Sequence, residues 1–173
     1  ADSTFIARTM DRDPKHQREI LLRGSQHVGT SMIEIYQNCN VFNDGAFEVY
    51  TDKGTKAEET LFLTHGEPLI FGAENNKGIK LDGFKPTVVD LNEVSPNELW
   101  VHDEHDHLKA QLLTSFFDNP SDENHLPRPF GVFYVEDRYR YEEAAEIQVQ
   151  TAVEKKGQGD LEALLRGKNV WEV

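Results

Sequence analysis

The chain opens with a short apolar strand pattern, changes to a helical pattern and then returns to a strand pattern. Thr4–Thr9 and Thr30–Tyr36 are rich in β-branched, aromatic and apolar residues and predict two strands. Between them, Pro14 follows a capping Asp13 and starts a helix expected to end near Gln26. Strand, helix and strand with short connections imply a right-handed crossover and a parallel strand pair. The helix face expected to pack on this sheet comprises Leu21, Gly24 and Val28.

The middle of the chain, from Phe47 to about Leu91, has short apolar runs separated by Gly, Asn and Lys clusters. This pattern predicts small strands and loops rather than long helices. The Gly-rich stretch Phe71–Gly78 matches no phosphate-binding fingerprint and predicts a turn between strands. The runs expected to form strands are Leu61–Leu63, Pro68–Phe71, Ile79–Leu81 and Thr87–Leu91.

The last third of the chain predicts helices around one further strand. A helix is expected from about Asp106 to Phe117, because Leu108, Leu112 and Phe116 recur every four residues. A long helix is expected to carry the apolar stripe Tyr141, Ala145, Val149 and Ala152. The elements expected here are a turn at Ser95–Leu99, a loop at Asp118–Pro129, a strand at Phe130–Val135, a helix from Tyr139 to about Lys156 ended by Gly157, and a helix at Asp160–Arg166.

Composition narrows the class of protein. The formal net charge of −13 argues against nucleic acid as a partner, because phosphate contacts need clustered Lys and Arg. No segment has the roughly 18 apolar residues of a membrane helix, and the N-terminus has no secretory signal. One Cys excludes an intrachain disulfide framework and suits a cytoplasmic protein. The first residue is Ala, as expected after Met removal or in a piece of a longer chain.

Residues 37–40 follow the second predicted strand directly. In open parallel sheets, ligands bind beyond the carboxyl ends of the strands, so chemistry is expected at this position. A single thiol cannot hold an iron–sulfur cluster, which takes four thiolates. From residue chemistry alone, Cys39 therefore has three open interpretations, with the first favoured: a structural residue, a metal ligand or a reactive thiol.

The segment 102–107 holds three His and three acidic residues, which could bind a divalent metal. Helix capping by Asp106 and a solvated surface for Asp103 and Glu104 are the simpler interpretation. The neutral ring of His102 is expected to be buried, since it continues a strand pattern. The alternative, a small metal-binding protein, would use His102, His105 and His107.

An ordered set of segments resembles the β subunits of 2-oxoacid:ferredoxin oxidoreductases, especially those of the 2-oxoglutarate type. The most specific segment is Ile33–Phe47, with the sequence IEIYQNCNVFNDGAF, and the resemblance spans essentially all 173 residues. The other segments are Phe5–Arg8, Asp11–His16, Ile79–Pro86, His102–Glu104, Pro129–Phe133, Lys156–Leu165 and Trp171–Val173.

The resemblance implies an enzyme that converts a 2-oxoacid and coenzyme A to an acyl-CoA and carbon dioxide and passes electrons to ferredoxin. Its cofactors would be thiamine diphosphate with Mg²⁺ and a 4Fe–4S cluster, and its partner an α subunit. Cys39 would be the last cluster ligand, while Asn38 and Asn40 would line the cofactor loop.

The resemblance also implies an α/β fold divided into two parts. Residues 1–44 would end a thiamine-diphosphate-binding domain, and residues 45–173 would form an α+β C-terminal extension. The family's first three cluster Cys and its GDGD…N motif do not occur in this sequence. The chain is therefore expected to need a missing N-terminal half, to be inactive alone and to expose Thr30–Tyr36 as an open sheet edge. A non-catalytic subunit-interaction module is the alternative.

Overall fold

The computed structural model describes residues 2–116, 125–168 and 171, in two compact units, Ala1–Arg138 and Tyr139–Val173. The predicted helix end at Phe117, residues 118–124 of the predicted loop and Glu172 and Val173 of the tail lie outside the described residues. The elements of the first unit are β1 (Phe5–Met10), α1 (Pro14–Gln26), β2 (Ser31–Tyr36), α2 (Glu48–Thr51), α3 (Lys56–Glu59), β3 (Thr60–Phe62), β4 (Ile70–Phe71), β5 (Lys77–Asp82), β6 (Lys85–Asp90), a 3₁₀ turn (Pro96–Glu98), α4 (His107–Thr114) and β7 (Arg128–Val135).

The main sheet has four strands in the order β2-β1-β7-β3. β1 and β2 are parallel, with Phe5 opposite Ser31 and Met10 opposite Tyr36. β7 runs antiparallel to β1 and parallel to β3, so the sheet is mixed. The predicted parallel β1-α1-β2 unit is thus confirmed, and β2 lies at an edge of this sheet.

The ends of α1 lie where the sequence predicts them. Pro14 is its first residue, and the Asp13 side chain accepts a hydrogen bond from the backbone N–H of His16 at 3.2 Å. This cap satisfies one of the N–H groups that a helix start leaves without a partner.

The buried face of α1 differs from the prediction. Ile20 and Gly24, one helical turn apart, are buried, whereas Leu21 is 44% exposed and Val28 is 38% exposed. A Cβ on Gly24 would lie 2.7 Å from the Ile33 side chain, so this glycine lets the helix approach β2 closely. The expectation of Leu21 and Val28 on the packed face was wrong, because the helix is rotated to place Ile20 against the sheet.

A second sheet is antiparallel and has the strand order β4-β5-β6. Together with β3 of the main sheet, these strands confirm the short strands predicted in the middle of the chain. Phe71–Gly78 is the region of the predicted turn and connects β4 to β5, with Asn75 in the left-handed region at φ 51°. A core cluster of buried residues comprises Leu61, Leu63, Leu69, Phe71, Ile79, Trp100, Ala110, Leu113, Phe116 and Phe133.

α4 begins behind its predicted cap, since the Asp106 side chain accepts from the Lys109 backbone N–H at 3.0 Å. Its predicted stripe is partly wrong, because Leu108 is 64% exposed. The buried residues are Ala110, Leu113 and Phe116, which recur every three positions. The helix therefore packs on a face turned away from Leu108.

The second unit contains α5 (Tyr141–Lys156) and α6 (Leu161–Arg166). Gly157 ends α5 at φ 80°, and Asp160 caps α6, both as predicted. None of the described residues of this unit is buried, and Tyr141 and Val149 of the predicted stripe are 88% and 63% exposed. Among the helices that the structure describes, none has the length and apolar character needed to cross a membrane.

Candidate functional site

The segment that follows β2, residues 37–46, is defined here as the Cys39 loop. It starts at the carboxyl edge of the parallel pair β1 and β2, where ligands bind in open sheets of this kind. A cavity of about 360 Å³ lies at this edge. It is lined by Asp11, Arg12, Asn38, Asp44, Gly45, Phe47, Glu48 and Thr51.

The exposed Asn38 side chain links distant parts of the loop through three hydrogen bonds. Its Oδ1 accepts from the Gly45 backbone N–H at 2.8 Å. Its Nδ2 donates to Asn40 Oδ1 and to Asp44 Oδ1, both at 2.8 Å. The resemblance implies that Asn38 and Asn40 line the cofactor loop, and the structure joins their side chains through the Asn38 amide. Gly45 takes φ 78°, a left-handed conformation that favours glycine.

Cys39 lies between Asn38 and Asn40 and has a free, half-buried thiol. Its carbonyl oxygen accepts from the Asn43 backbone N–H at 2.9 Å. Hydrogen bonds from the backbone N–H of Phe42, and then of Val41 and Asn43, hold the pKa of the Cys39 thiol below its ordinary value. Since N–H donors favour the charged sulfur, the loop stabilises the thiolate, which is the metal-binding and nucleophilic form.

Two aromatic rings, those of Tyr36 and Phe47, close the base of the loop, and the sequence analysis did not predict their contact. Tyr36 ends β2 and Phe47 follows the loop, and their rings stack with centroids 4.3 Å apart at 25°. Tyr36 also packs edge-on against Phe130 of β7. The Arg8 guanidinium lies 5.3 Å from the Tyr36 ring centroid. An aromatic residue at each end of a loop rich in Asn is the one sequence signal that could have indicated this closure.

The thiol of Cys39 fits one ligand position of an iron–sulfur cluster. Cluster thiolates characteristically accept hydrogen bonds that tune the reduction potential, and the backbone N–H groups of residues 41–43, which lower the pKa of Cys39, are suited to donate them. A 4Fe–4S cluster takes four thiolates, and this sequence has one Cys. Within the described part of the chain, no group of three or more His, Cys, Asp or Glu could hold a metal ion.

His102 and His105 each lie beside a different backbone carbonyl group of β7. His102 is buried, with Nε2 2.8 Å from the Val132 carbonyl oxygen, and burial lowers the pKa of this ring. His105 Nδ1 lies 2.9 Å from the Val135 carbonyl oxygen. The predicted burial of His102 is confirmed, and the described structure does not bring the ring nitrogens of this segment together as ligands.

The acidic residues of the same segment divide between two environments. Asp103 is half exposed, as expected, and the His105 backbone N–H lowers its pKa. Glu104 is buried, and its carboxylate accepts from Arg23 Nη1 at 3.0 Å and Nη2 at 2.7 Å. The expectation of a solvated Glu104 was wrong, because the partly exposed Arg23 covers this carboxylate and supplies the opposite charge.

Comparison with known proteins gives two relatives. The chain is 33% identical, over 177 aligned positions and 100% of its length, to 2-oxoglutarate oxidoreductase subunit KorB of Mycobacterium tuberculosis. Over 50 positions, or 29% of its length, it is 40% identical to 2-oxoacid:ferredoxin oxidoreductase subunit beta of Saccharolobus solfataricus. No protein-family model matches the chain. No solved structure matches it either.

Both relatives are subunits of oxidoreductases, so the chain is first of all a homologue of oxidoreductase subunits. The chain is homologous to 2-oxoacid oxidoreductase β subunits, and its full length matches the C-terminal part of the Mycobacterium tuberculosis relative. The resemblance seen in the sequence is therefore confirmed. The chain spans 46% of the length of the Mycobacterium tuberculosis relative and 16% of the Saccharolobus solfataricus relative.

Proposed function

We propose that the chain is the C-terminal part of a β subunit of a 2-oxoacid:ferredoxin oxidoreductase, with 2-oxoglutarate as the favoured substrate. The whole enzyme would convert the 2-oxoacid and coenzyme A to acyl-CoA and carbon dioxide and pass two electrons to ferredoxin. The observation that carries the proposal is the position of Cys39 in a hydrogen-bonded loop at the carboxyl edge of β1 and β2, in a chain whose full length is similar to the Mycobacterium tuberculosis subunit.

In this proposal Cys39 is one of four thiolate ligands of a 4Fe–4S cluster. The other three would lie in the part of the subunit that precedes this chain. The backbone N–H groups of Val41, Phe42 and Asn43 would stabilise the thiolate, and Asn38 would hold the loop that carries it. When bound, the cluster supplies one-electron transfer at a potential that hydrogen bonds to its sulfurs help to set.

Thiamine diphosphate and Mg²⁺ are assigned to the preceding part of the subunit, because the GDGD…N motif is absent from this sequence. When bound, thiamine diphosphate supplies the carbanion chemistry of decarboxylation. This chain would contribute one wall of the site, and the cavity lined by Asp11, Arg12 and Asn38 supports that role. The chain alone is expected to be inactive.

The proposed partners are the missing N-terminal half, the α subunit and ferredoxin. β2 supports the N-terminal half as a partner, because it is an edge strand on which Met32 is 54% exposed and Ile35 is 39% exposed. An edge strand has backbone N–H and C=O groups available to pair with another strand. A further strand in the same sheet would cover them.

Replacement of Cys39 by Ala in the intact enzyme tests the function. We expect the variant to lose the 4Fe–4S signal in electron paramagnetic resonance, to contain less iron and to stop reducing ferredoxin. Asn92→Ala, in an exposed turn where Asn92 donates to Asp90, is the matched control and should behave as the parent enzyme. A Cys39→Ala enzyme with full iron and an unchanged cluster signal would contradict the proposal.

A non-catalytic interaction module is the second candidate, favoured by the single Cys in the sequence. Intact mass and iron analysis of the anaerobically purified material separates the two. A companion polypeptide with about four irons per pair supports the enzyme component. A lone 19.8 kDa chain without iron supports the scaffold.

A further inference from the structure

We propose that Tyr36, Phe47 and Asn38 are positioning residues that give the Cys39 loop its ligand-presenting shape. The inference rests on the proposed role of Cys39 as a cluster ligand. None of the three side chains needs to touch the cluster to act in this way. Each acts through the backbone that directs the Cys39 sulfur and its N–H donors.

The first step is the closure of the loop at its base. Tyr36 and Phe47 flank the loop, and their stacked rings bring its two ends together. Tyr36 is only 9% exposed and packs in a buried cluster with Met10, Tyr50 and Phe130. The base of the loop is therefore fixed to the core of the first unit, so loop motion at this point would disrupt packed aromatic rings.

The second step is the brace across the loop. The Asn38 amide uses its oxygen and both of its N–H donor positions, on Gly45, Asn40 and Asp44. Asn38 precedes Cys39 in sequence and all three partners follow it, so one side chain ties the two arms of the loop together. The backbone bond from Asn43 N–H to the Cys39 carbonyl, 2.9 Å, tightens the turn between them.

The third step links the shape of the loop to the sulfur. The hydrogen bond from the Asn43 N–H to the Cys39 carbonyl holds residues 39–43 in a turn, and the path of this turn sets where the backbone N–H groups of residues 41–43 lie relative to the Cys39 sulfur. An N–H donor stabilises the more negatively charged, reduced form of a cluster, so losing its alignment lowers the reduction potential. A loop that is already ordered also gives up less conformational entropy when a ligand binds.

The test uses the intact, iron-loaded enzyme with the variants Asn38→Ala and Phe47→Leu. We expect both to lower the reduction potential of the cluster in an electron paramagnetic resonance titration. We also expect iron loss to a chelator to become about 10-fold faster, the lower end of the effect of groups that orient metal ligands. Phe47→Tyr keeps an aromatic ring for the stack and should restore the parent values.

Matched controls are Asn92→Ala and Phe84→Leu, both at exposed positions of other turns. Equal potentials and iron-loss rates in Asn38→Ala, Phe47→Leu and these controls would overturn the inference. Because Asn38 is exposed in the loop, its variant tests the idea even if Phe47→Leu does not fold. A retained cluster in Cys39→Ala refutes the proposed function, whereas a lost cluster with unaffected Asn38 and Phe47 variants refutes only the positioning role.

Discussion

Arg23 and Glu104 form a two-bond ion pair that fastens α1 to the turn before α4. The guanidinium Nη1 and Nη2 lie 3.0 Å and 2.7 Å from the two carboxylate oxygens. The Glu104 side chain is 7% exposed, whereas that of Arg23 is 41% exposed. The hydrogen bonds to Glu104 also raise the pKa of Arg23. A carboxylate buried in this way depends on its partner, because it has little access to water.

Arg23→Ala should therefore lower the free energy of unfolding of the purified chain by about 1–3 kcal/mol. This range is below the cost of breaking a fully buried pair, since Arg23 is partly exposed and water can approach it. Urea unfolding followed by circular dichroism measures the change. Lys80→Ala removes the exposed pair with Glu98 and should change stability little. Equal effects of the two substitutions would refute a special role for the buried carboxylate.

Gly131 in β7 is expected to tolerate no side chain. Its φ is 126°, and a Cβ would lie 2.8 Å from the Leu63 backbone oxygen and 2.9 Å from Leu63 Cβ. Gly131→Ala should destabilise the chain by about 2–4 kcal/mol, combining backbone strain with overpacking. Gly159→Ala, where a Cβ meets nothing within 4 Å, is the control for the same urea experiment. A Gly131→Ala midpoint equal to that of the control would show that β7 can shift without cost.

The start of α1 could be predicted from neighbouring residues in the sequence, whereas the burial of Glu104 could not. The start of α1 depends on Asp13 and Pro14, which are adjacent in the sequence. The environment of Glu104 depends on Arg23, which is 81 positions away. Three acids and three His in six residues suggest a solvated surface, and only the docking of α1 shows that one carboxylate is inside.

The candidate site could likewise be predicted only in part from the sequence. The position of Cys39 after a parallel strand predicts a site there, and the family resemblance implies its role as a ligand. The stack of Tyr36 on Phe47 joins residues 11 positions apart across a loop whose path the sequence does not specify. The prediction that Leu108 lies on the packed face of α4 was wrong for a related reason. An apolar residue at helical spacing is buried only if the tertiary packing covers that face of the helix.

The stability of the chain should fall as the pH decreases below about 6.5, the ordinary pKa of His. Burial lowers the pKa of His102; its hydrogen bond to Val132 and the charge of Glu104 oppose the shift, and His65 reinforces it. Because the unfolded state then binds the proton more readily, the contribution of His102 is complete above that pH and is lost towards its folded-state pKa.

His102→Gln keeps an N–H donor for Val132 but does not titrate, so it should reduce the slope of unfolding free energy against pH between about 7 and 5. Some slope should remain, since burial also lowers the pKa of His16. Urea unfolding at several pH values gives both slopes. Above about pH 7.5 the variant and the parent chain should show the same pH dependence. An unchanged slope between pH 7 and 5 would mean that His102 stays accessible to protons.

The exposed edge of β2 predicts self-association of the chain when it is purified alone. Met32 is 54% exposed on this strand, and a charged side chain on an edge strand opposes pairing with a second copy. Met32→Lys should raise the dissociation constant in sedimentation velocity about tenfold or more, which corresponds to about 1.4 kcal/mol. Phe84→Lys adds the same charge at a residue that is 78% exposed in the β5–β6 hairpin, and it should leave the association unchanged. If Phe84→Lys weakens association and Met32→Lys does not, the contact surface lies at the hairpin and the β2 edge is not the site of pairing.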